Sequence, residues 1–138
     1  MARYLGIDFG QRRVGIAISD PTITIAQPHS TINYFSLKKL VSEIISLTRT
    51  YDINKIIVGL PLNLKGKDSI KTEEVRQFAD LIRSHTDIPV MLFDERLTTV
   101  EVQKLLILFG KRPSKSRNII DQLAAQRILQ TYIDREKR

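Results

Sequence analysis

The chain has 138 residues, no cysteine, and 22 Lys and Arg against 15 Asp and Glu, for a net charge of +7. That length predicts one domain over residues 1–138, and the absence of cysteine excludes disulfides and thiolate metal sites. No apolar stretch reaches membrane-spanning length and Met1-Ala2-Arg3-Tyr4 runs straight into a strand pattern, so the expectation is a cytoplasmic protein with no membrane partner.

Residues 3–9 and 13–19 read as two strands joined by the tight link Gly10-Gln11-Arg12. Asp20-Pro21 punctuates, and residues 22–32 predict a third strand, which Pro28 marks as an edge or bulged one. Such short connections imply an antiparallel meander. Leu37, Leu40, Val41, Ile44, Ile45 and Thr48 then recur at helical spacing, predicting a helix over 36–50. Ile56-Ile57-Val58-Gly59-Leu60 is apolar on both faces, as in a parallel strand covered on each side. Pro61 to Asp68 reads as a loop containing Gly66, and Asp68 as the cap of a helix carrying Val75, Phe78, Ala79 and Ile82. Val90-Met91-Leu92-Phe93 reads as a further buried strand. Thr98-Thr99-Val100-Glu101 has capping-box spacing and opens a helix that Gly110 ends. A basic loop follows, and Asn118 begins a terminal helix. Right-handed crossovers then predict an α/β fold: a mixed five-stranded sheet, three strands antiparallel and two parallel, with helices on both faces.

The positive charge is concentrated. Residues 104–138 hold nine basic and three acidic residues, an excess of six, which leaves one for residues 1–103. A cluster of that kind fits a nucleic-acid partner. Lys111, Arg112, Lys115 and Arg117 form its loop portion, just before Asp121.

Three acidic positions stand out by placement. Asp8 ends the first strand and Asp94-Glu95 ends the last. Asp121 falls in the first turn expected of the terminal helix, where the alanines Ala124 and Ala125 would let that helix lie close to the sheet. An oxygen-only donor set suits Mg²⁺ or Mn²⁺, and such ions serve phosphodiester hydrolysis. The bland readings are a hairpin turn at Asp8, a helix-dipole role for Asp121, and surface pairing for Asp94 and Glu95. Neighbouring strand residues point to opposite faces, so extended geometry through Asp94-Glu95 would let one of them face Asp8. His29 and His85 read as structural or exposed. Tyr34-Phe35 can stack on a base, but the reading taken is a staple packing onto the following helix.

Four segments resemble one family: Gly6-Ile7-Asp8-Phe9-Gly10 with Arg13-Val14-Gly15-Ile16-Ala17, Val58-Gly59-Leu60-Pro61-Leu62 with Gly66, Asp94-Glu95-Arg96-Leu97-Thr98-Thr99, and Asp121-Gln122-Leu123-Ala124-Ala125. They are similar, in order and interval, to the YqgF or RuvX family of candidate pre-16S rRNA nucleases, relatives of RuvC-type Holliday junction resolvases. The resemblance implies a ribonuclease H-like fold and 5′-end maturation of 16S rRNA in pre-ribosomal particles. It also implies a catalytic metal held by Asp8, Glu95 and Asp121, with Asp94 as the alternative middle ligand. In RuvC-type resolvases the middle carboxylate follows the fourth strand, where this chain has Gly59-Leu60-Pro61; the role therefore passes to Glu95, one strand later. Arg13 joins the four loop cations as an expected RNA contact, and the expected assembly is a monomer or weak dimer. Rival readings are a resolvase acting on DNA junctions and a non-catalytic ribosome- or RNA-binding protein. The first motif also resembles the phosphate loop of actin- and sugar-kinase-type ATPases, but those clasp nucleotide between two such domains and this chain supplies one.

Overall fold

A computed structural model describes residues 2–61, 70–94 and 117–137. The elements are β1 (Arg3–Phe9), β2 (Arg13–Ser19), β3 (Ala26–Asn33), α1 (Leu37–Thr50), β4 (Ile53–Leu60), α2 (Ile70–Arg83), β5 (Val90–Asp94) and α3 (Arg117–Glu136). Gly66, the cap expected at Asp68, the capping box at Thr98-Thr99-Val100-Glu101, Gly110 and most of the basic loop lie outside the described residues.

The strands form one sheet in the order β3-β2-β1-β4-β5. β3, β2 and β1 run antiparallel, while β4 and β5 add parallel to β1, as the pattern predicted. Alternation sorts the side chains. Leu5, Ile7 and Phe9 of β1, Val14, Ile16 and Ile18 of β2, and Ile56, Val58 and Leu60 of β4 pack under α1 and α2 through Leu40, Ile44, Val75, Phe78 and Ile82. Tyr4, Ala17 and Ile57 form a second core with Ala125, Ile128, Leu129 and Ile133 of α3 on the opposite face. β4 is apolar on both sides because both sides are covered.

α3 lies unusually close to the sheet, and two glycines permit it. A Cβ at Gly6 would sit 2.7 Å from Cβ of Leu129, and a Cβ at Gly15 would sit 1.9 Å from the carbonyl oxygen of Asp121. Ala124 and Ala125 are fully buried at the same contact, in the role their spacing suggested.

β3 is an edge strand with a bulge. Ile16 pairs with Ser30 and Ala17 with Pro28, so His29 is the extra residue. The strand starts at Ala26 rather than at 22 because Asp20 organises a turn first: its Oδ1 accepts from the backbone N–H of Thr24 and of Ile25, each at 2.8 Å. Those bonds hold the Asp20 carboxyl well below the usual range, and Ile23 is drawn into the left-handed region at φ 54°. Glutamines at i, i+4 and i+8 on α3 secure this edge. Gln130 accepts from the Ala26 N–H at 2.8 Å and donates to the Thr24 carbonyl at 3.0 Å, Gln126 donates to the Ala26 carbonyl, and Gln122 to the Thr31 hydroxyl.

His29 and His85 are exposed, as expected. Tyr34 and Phe35 divide their roles. Tyr34 stacks on Phe9, with ring centroids 6.2 Å apart, and donates its hydroxyl to the Gly10 carbonyl. Phe35 is fully exposed, so it is not a staple on α1.

The far end of α3 is fastened by a polar clamp. Glu136 accepts from Lys55 Nζ and from the Tyr4 hydroxyl, both at 2.7 Å. The hydrogen bond from Lys55 is the main influence that lowers the Glu136 carboxyl. With its folded pKa below the unfolded one, Glu136 contributes stability that is fully present above the unfolded value and is lost as pH falls through the folded one. Glu136→Gln should therefore be less stable than the parent near neutral pH by under about 1 kcal/mol, since the pair is partly solvated. Urea unfolding at a series of pH values should show that difference vanishing as the pH drops below the ordinary carboxylate range.

Candidate active site

Asp8 shares its strand face with Tyr4 and Gly6, which places it on the α3 side at the end of β1. Its partner across the antiparallel ladder is Gly15. Gly15 in turn lies against the backbone of Asp121, so the absent side chain leaves room for α3 to bring that residue over the strand end. Asp8 and Asp121, more than a hundred residues apart in sequence, consequently line one cleft of about 360 Å³.

Asp121 is not in the first turn of its helix. α3 begins at Arg117, so Asp121 sits one turn further in, beyond the free N–H groups that a first-turn carboxylate would meet. Its partner is instead Arg13 on β2, whose Nε donates to Asp121 Oδ2 at 2.8 Å. The Asp121 side chain is 17% exposed and that of Arg13 37%. This bond uses one of five guanidinium N–H donors and aims the carboxylate. Arg12 and Lys71, both exposed, also line the cleft.

Of the other expected site residues, Asp94 is placed away from this cleft. Asp94 ends β5 in register with Leu60, which packs under α1 and α2, so alternation assigns Asp94 to the face opposite Asp8. Glu95, Lys111, Arg112 and Lys115 lie outside the described residues. Arg117 is the first residue of α3. Among the described residues, no group of three or more His, Asp and Glu side chains is arranged to hold a metal. Asp8 and Asp121 do supply oxygen donors of the kind a hard divalent ion takes, and they share a water-accessible cleft with nearby cations.

Sequence reasoning missed Gly15, Arg12 and Lys71. A glycine inside a strand does signal close backbone approach, so Gly15 was findable. Arg12 sits in the tight link just after Asp8 and so was findable as well, whereas nothing in the spacing of Lys71, near the start of α2, joins it to Asp8.

Comparison with known proteins supplies a frame for this geometry. A family model described as RuvX, Holliday junction resolvase, matches residues 2–135. A candidate pre-16S rRNA nuclease from Syntrophus aciditrophicus is 42% identical over 132 residues, covering 96% of this chain and 88% of that protein. Another from Thermoanaerobacter pseudethanolicus is 41% identical over 136 residues, covering 98% of each. Among solved structures, Thermus thermophilus RuvC in complex with a Holliday junction substrate aligns over 99% of this chain and 96% of that one, at a TM-score of 0.60 and 11% identity. Fowlpox virus resolvase with its Holliday junction DNA aligns over 99% of both chains at 0.59 and 11%. At such identities these two structures establish the fold, which is ribonuclease H-like.

The Gly15 contact carries a direct test. Gly15→Ala forces the α3 backbone at Asp121 away from β2, an overpacking that should cost about 1–3 kcal/mol. The thermal midpoint should fall by roughly 3–10 °C, and the Arg13–Asp121 pair should be lost from the structure of the variant.

Proposed function

This chain belongs to the RuvX family, and from that premise we propose that it is an endonuclease hydrolysing phosphodiester bonds of structured RNA, acting in 5′-end maturation of the 16S rRNA precursor. The observation that carries the reading is the shared cleft, in which two carboxylates from distant segments meet a border of Arg12, Arg13 and Lys71. The candidate rRNA nucleases to which the chain is 42% and 41% identical support the RNA substrate. A role in pre-ribosomal particles places the reaction in the cytoplasm. No helix among the described residues is long and apolar enough to cross a membrane.

In this reading Asp8 and Asp121 hold the catalytic ion, with Glu95 as the third donor. A divalent ion such as Mg²⁺ or Mn²⁺ would supply charge stabilisation and an activated water for hydrolysis. Arg13 keeps the Asp121 carboxylate turned into the cleft. Arg12 and Lys71 neutralise backbone phosphates that the two carboxylates would otherwise repel. Lys111, Arg112, Lys115 and Arg117 extend that role along the strand, and the working species is a monomer or weak dimer. A DNA-junction activity is the second reading, favoured by the description of the family model.

The purified protein incubated with Mn²⁺ and either a precursor 16S rRNA fragment or a four-way DNA junction should give new, mapped ends on the RNA. Cleavage of the junction with the RNA left intact would select the second reading. Asp8→Asn and Asp121→Asn should each lower cleavage by more than roughly 100-fold while folding survives. Cleavage by Asp8→Asn at the parent rate would remove the site assignment. Glu95→Gln should fall as far, and Asp94→Asn should not.

Phosphate contacts predict a salt signature. Replacing Lys111, Arg112, Lys115 and Arg117 together by Ala should weaken binding to every RNA sequence and flatten the dependence of log affinity on log salt by up to about 3–4. An unchanged slope would move the RNA path off that loop.

A further inference from the structure

Phe35 stands fully exposed between β3 and α1, and Leu37 beside it is 45% exposed. Both border a groove of about 550 Å³ that runs between the start of α1 and α2. Phe35, Leu37 and Leu81 give it apolar walls, while Gln11, Glu74 and Gln77 place two amides and a carboxylate on them. A purely hydrophobic partner would leave those polar groups without hydrogen bonds.

The groove adjoins the Asp8–Asp121 cleft at the end of β1, where Phe9 and Gln11 line both. Tyr34, the residue before Phe35, braces the junction. Its backbone N–H donates to the Arg12 carbonyl at 3.1 Å, and its hydroxyl donates to the Gly10 carbonyl. The turn that follows Asp8 and the backbone leading into Phe35 are thus tied together through Tyr34.

We propose that this groove receives one unpaired nucleobase of the nucleic-acid strand whose backbone lies in the neighbouring cleft. The inference rests on the nuclease reading above. The base stacks on Phe35, a contact open to any base because each has a π-face. Its edge meets the amides of Gln11 and Gln77, and Glu74 accepts from an exocyclic amine. Glu74 also repels phosphate, which keeps the backbone on the side of Arg12 and Lys71. Lys38 and Lys39, exposed on the first turn of α1, add positive charge beyond Phe35. That basic border disfavours a second copy of a chain with net charge +7 as the occupant.

The chain contains no tryptophan, so Phe35→Trp introduces a single fluorescent reporter at the groove. The experiment uses Asp8→Asn protein, to prevent cleavage, and two probes: a short RNA duplex with a five-nucleotide single-stranded overhang, and the same duplex blunt-ended. The indole emission of the Phe35→Trp variant should be quenched by the overhang probe and unaffected by the blunt one. Phe35→Ala should weaken binding of the overhang probe roughly ten-fold or more and leave the blunt probe unchanged, whereas Phe35→Trp should bind like the parent. No quench together with equal affinities for Phe35→Ala and the parent would overturn the proposal. A spectral change that follows protein concentration without RNA would also overturn it, in favour of a second copy. The two readings fail separately. Full cleavage by Asp8→Asn would remove the nuclease site, while the stacking arms, repeated with divalent ions chelated, would still report on Phe35. An inert Phe35 in a protein whose cleavage depends on Asp8 would remove the stacking proposal alone.

Discussion

The contact of α3 with the sheet at Gly6 and Gly15 is the constraint on which the rest of the molecule depends. A helix normally stands off a sheet by the thickness of two layers of side chains. Here a missing Cβ on each of two strands, with Ala125 opposite, brings backbone almost to backbone. The same approach closes the second core around Ile57, Ile128, Leu129 and Ile133 and lowers Asp121 onto the end of β2. Stability and site geometry are therefore coupled: the glycine beneath Asp121 is also the ladder partner of Asp8.

Around that contact the electrostatics follow. Asp121 is mostly buried and is offset by Arg13 from the strand below it, at a distance typical of a charge-assisted hydrogen bond. A carboxylate pair at the rim of a cleft repels a polyanion, and the cations of the cleft border offset this locally. Under the proposed nuclease reading, the anionic pair would serve the reacting centre and the cations beside it the strand.

The edges of the sheet show how the scaffold is kept in register. β3 would be free to slip, but a bulge at His29 and the glutamine series of α3 fix its position. On the other face, Phe9 stacks on Phe78 of α2 with centroids 4.2 Å apart and on Tyr34 in the link between β3 and α1, so the residue after Asp8 is gripped from two sides. The hairpin turn beside the cleft is thereby held by the α1/α2 core, while its charged residues face water.

Periodicity determined much of the architecture by itself. Alternation in residues 3–9 and 13–19, the helical recurrence from Leu37 to Thr48, and the doubly apolar run ending at Leu60 each carry a local physical signature, and the strand directions followed from short connections and crossovers. Asp8 and Asp121 were legible as candidates because an acid at a strand end, or beside paired alanines, breaks an apolar pattern. Their convergence was not legible, since it depends on backbone approach across more than a hundred residues. The Arg13–Asp121 pair, the assignment of Asp94 to the far face, and the exposure of Phe35 were likewise decided by tertiary structure. Local patterns report which residues seek burial. Which charges meet, and which ring is left in water, depends on the relative placement of elements that no short stretch of chain encodes.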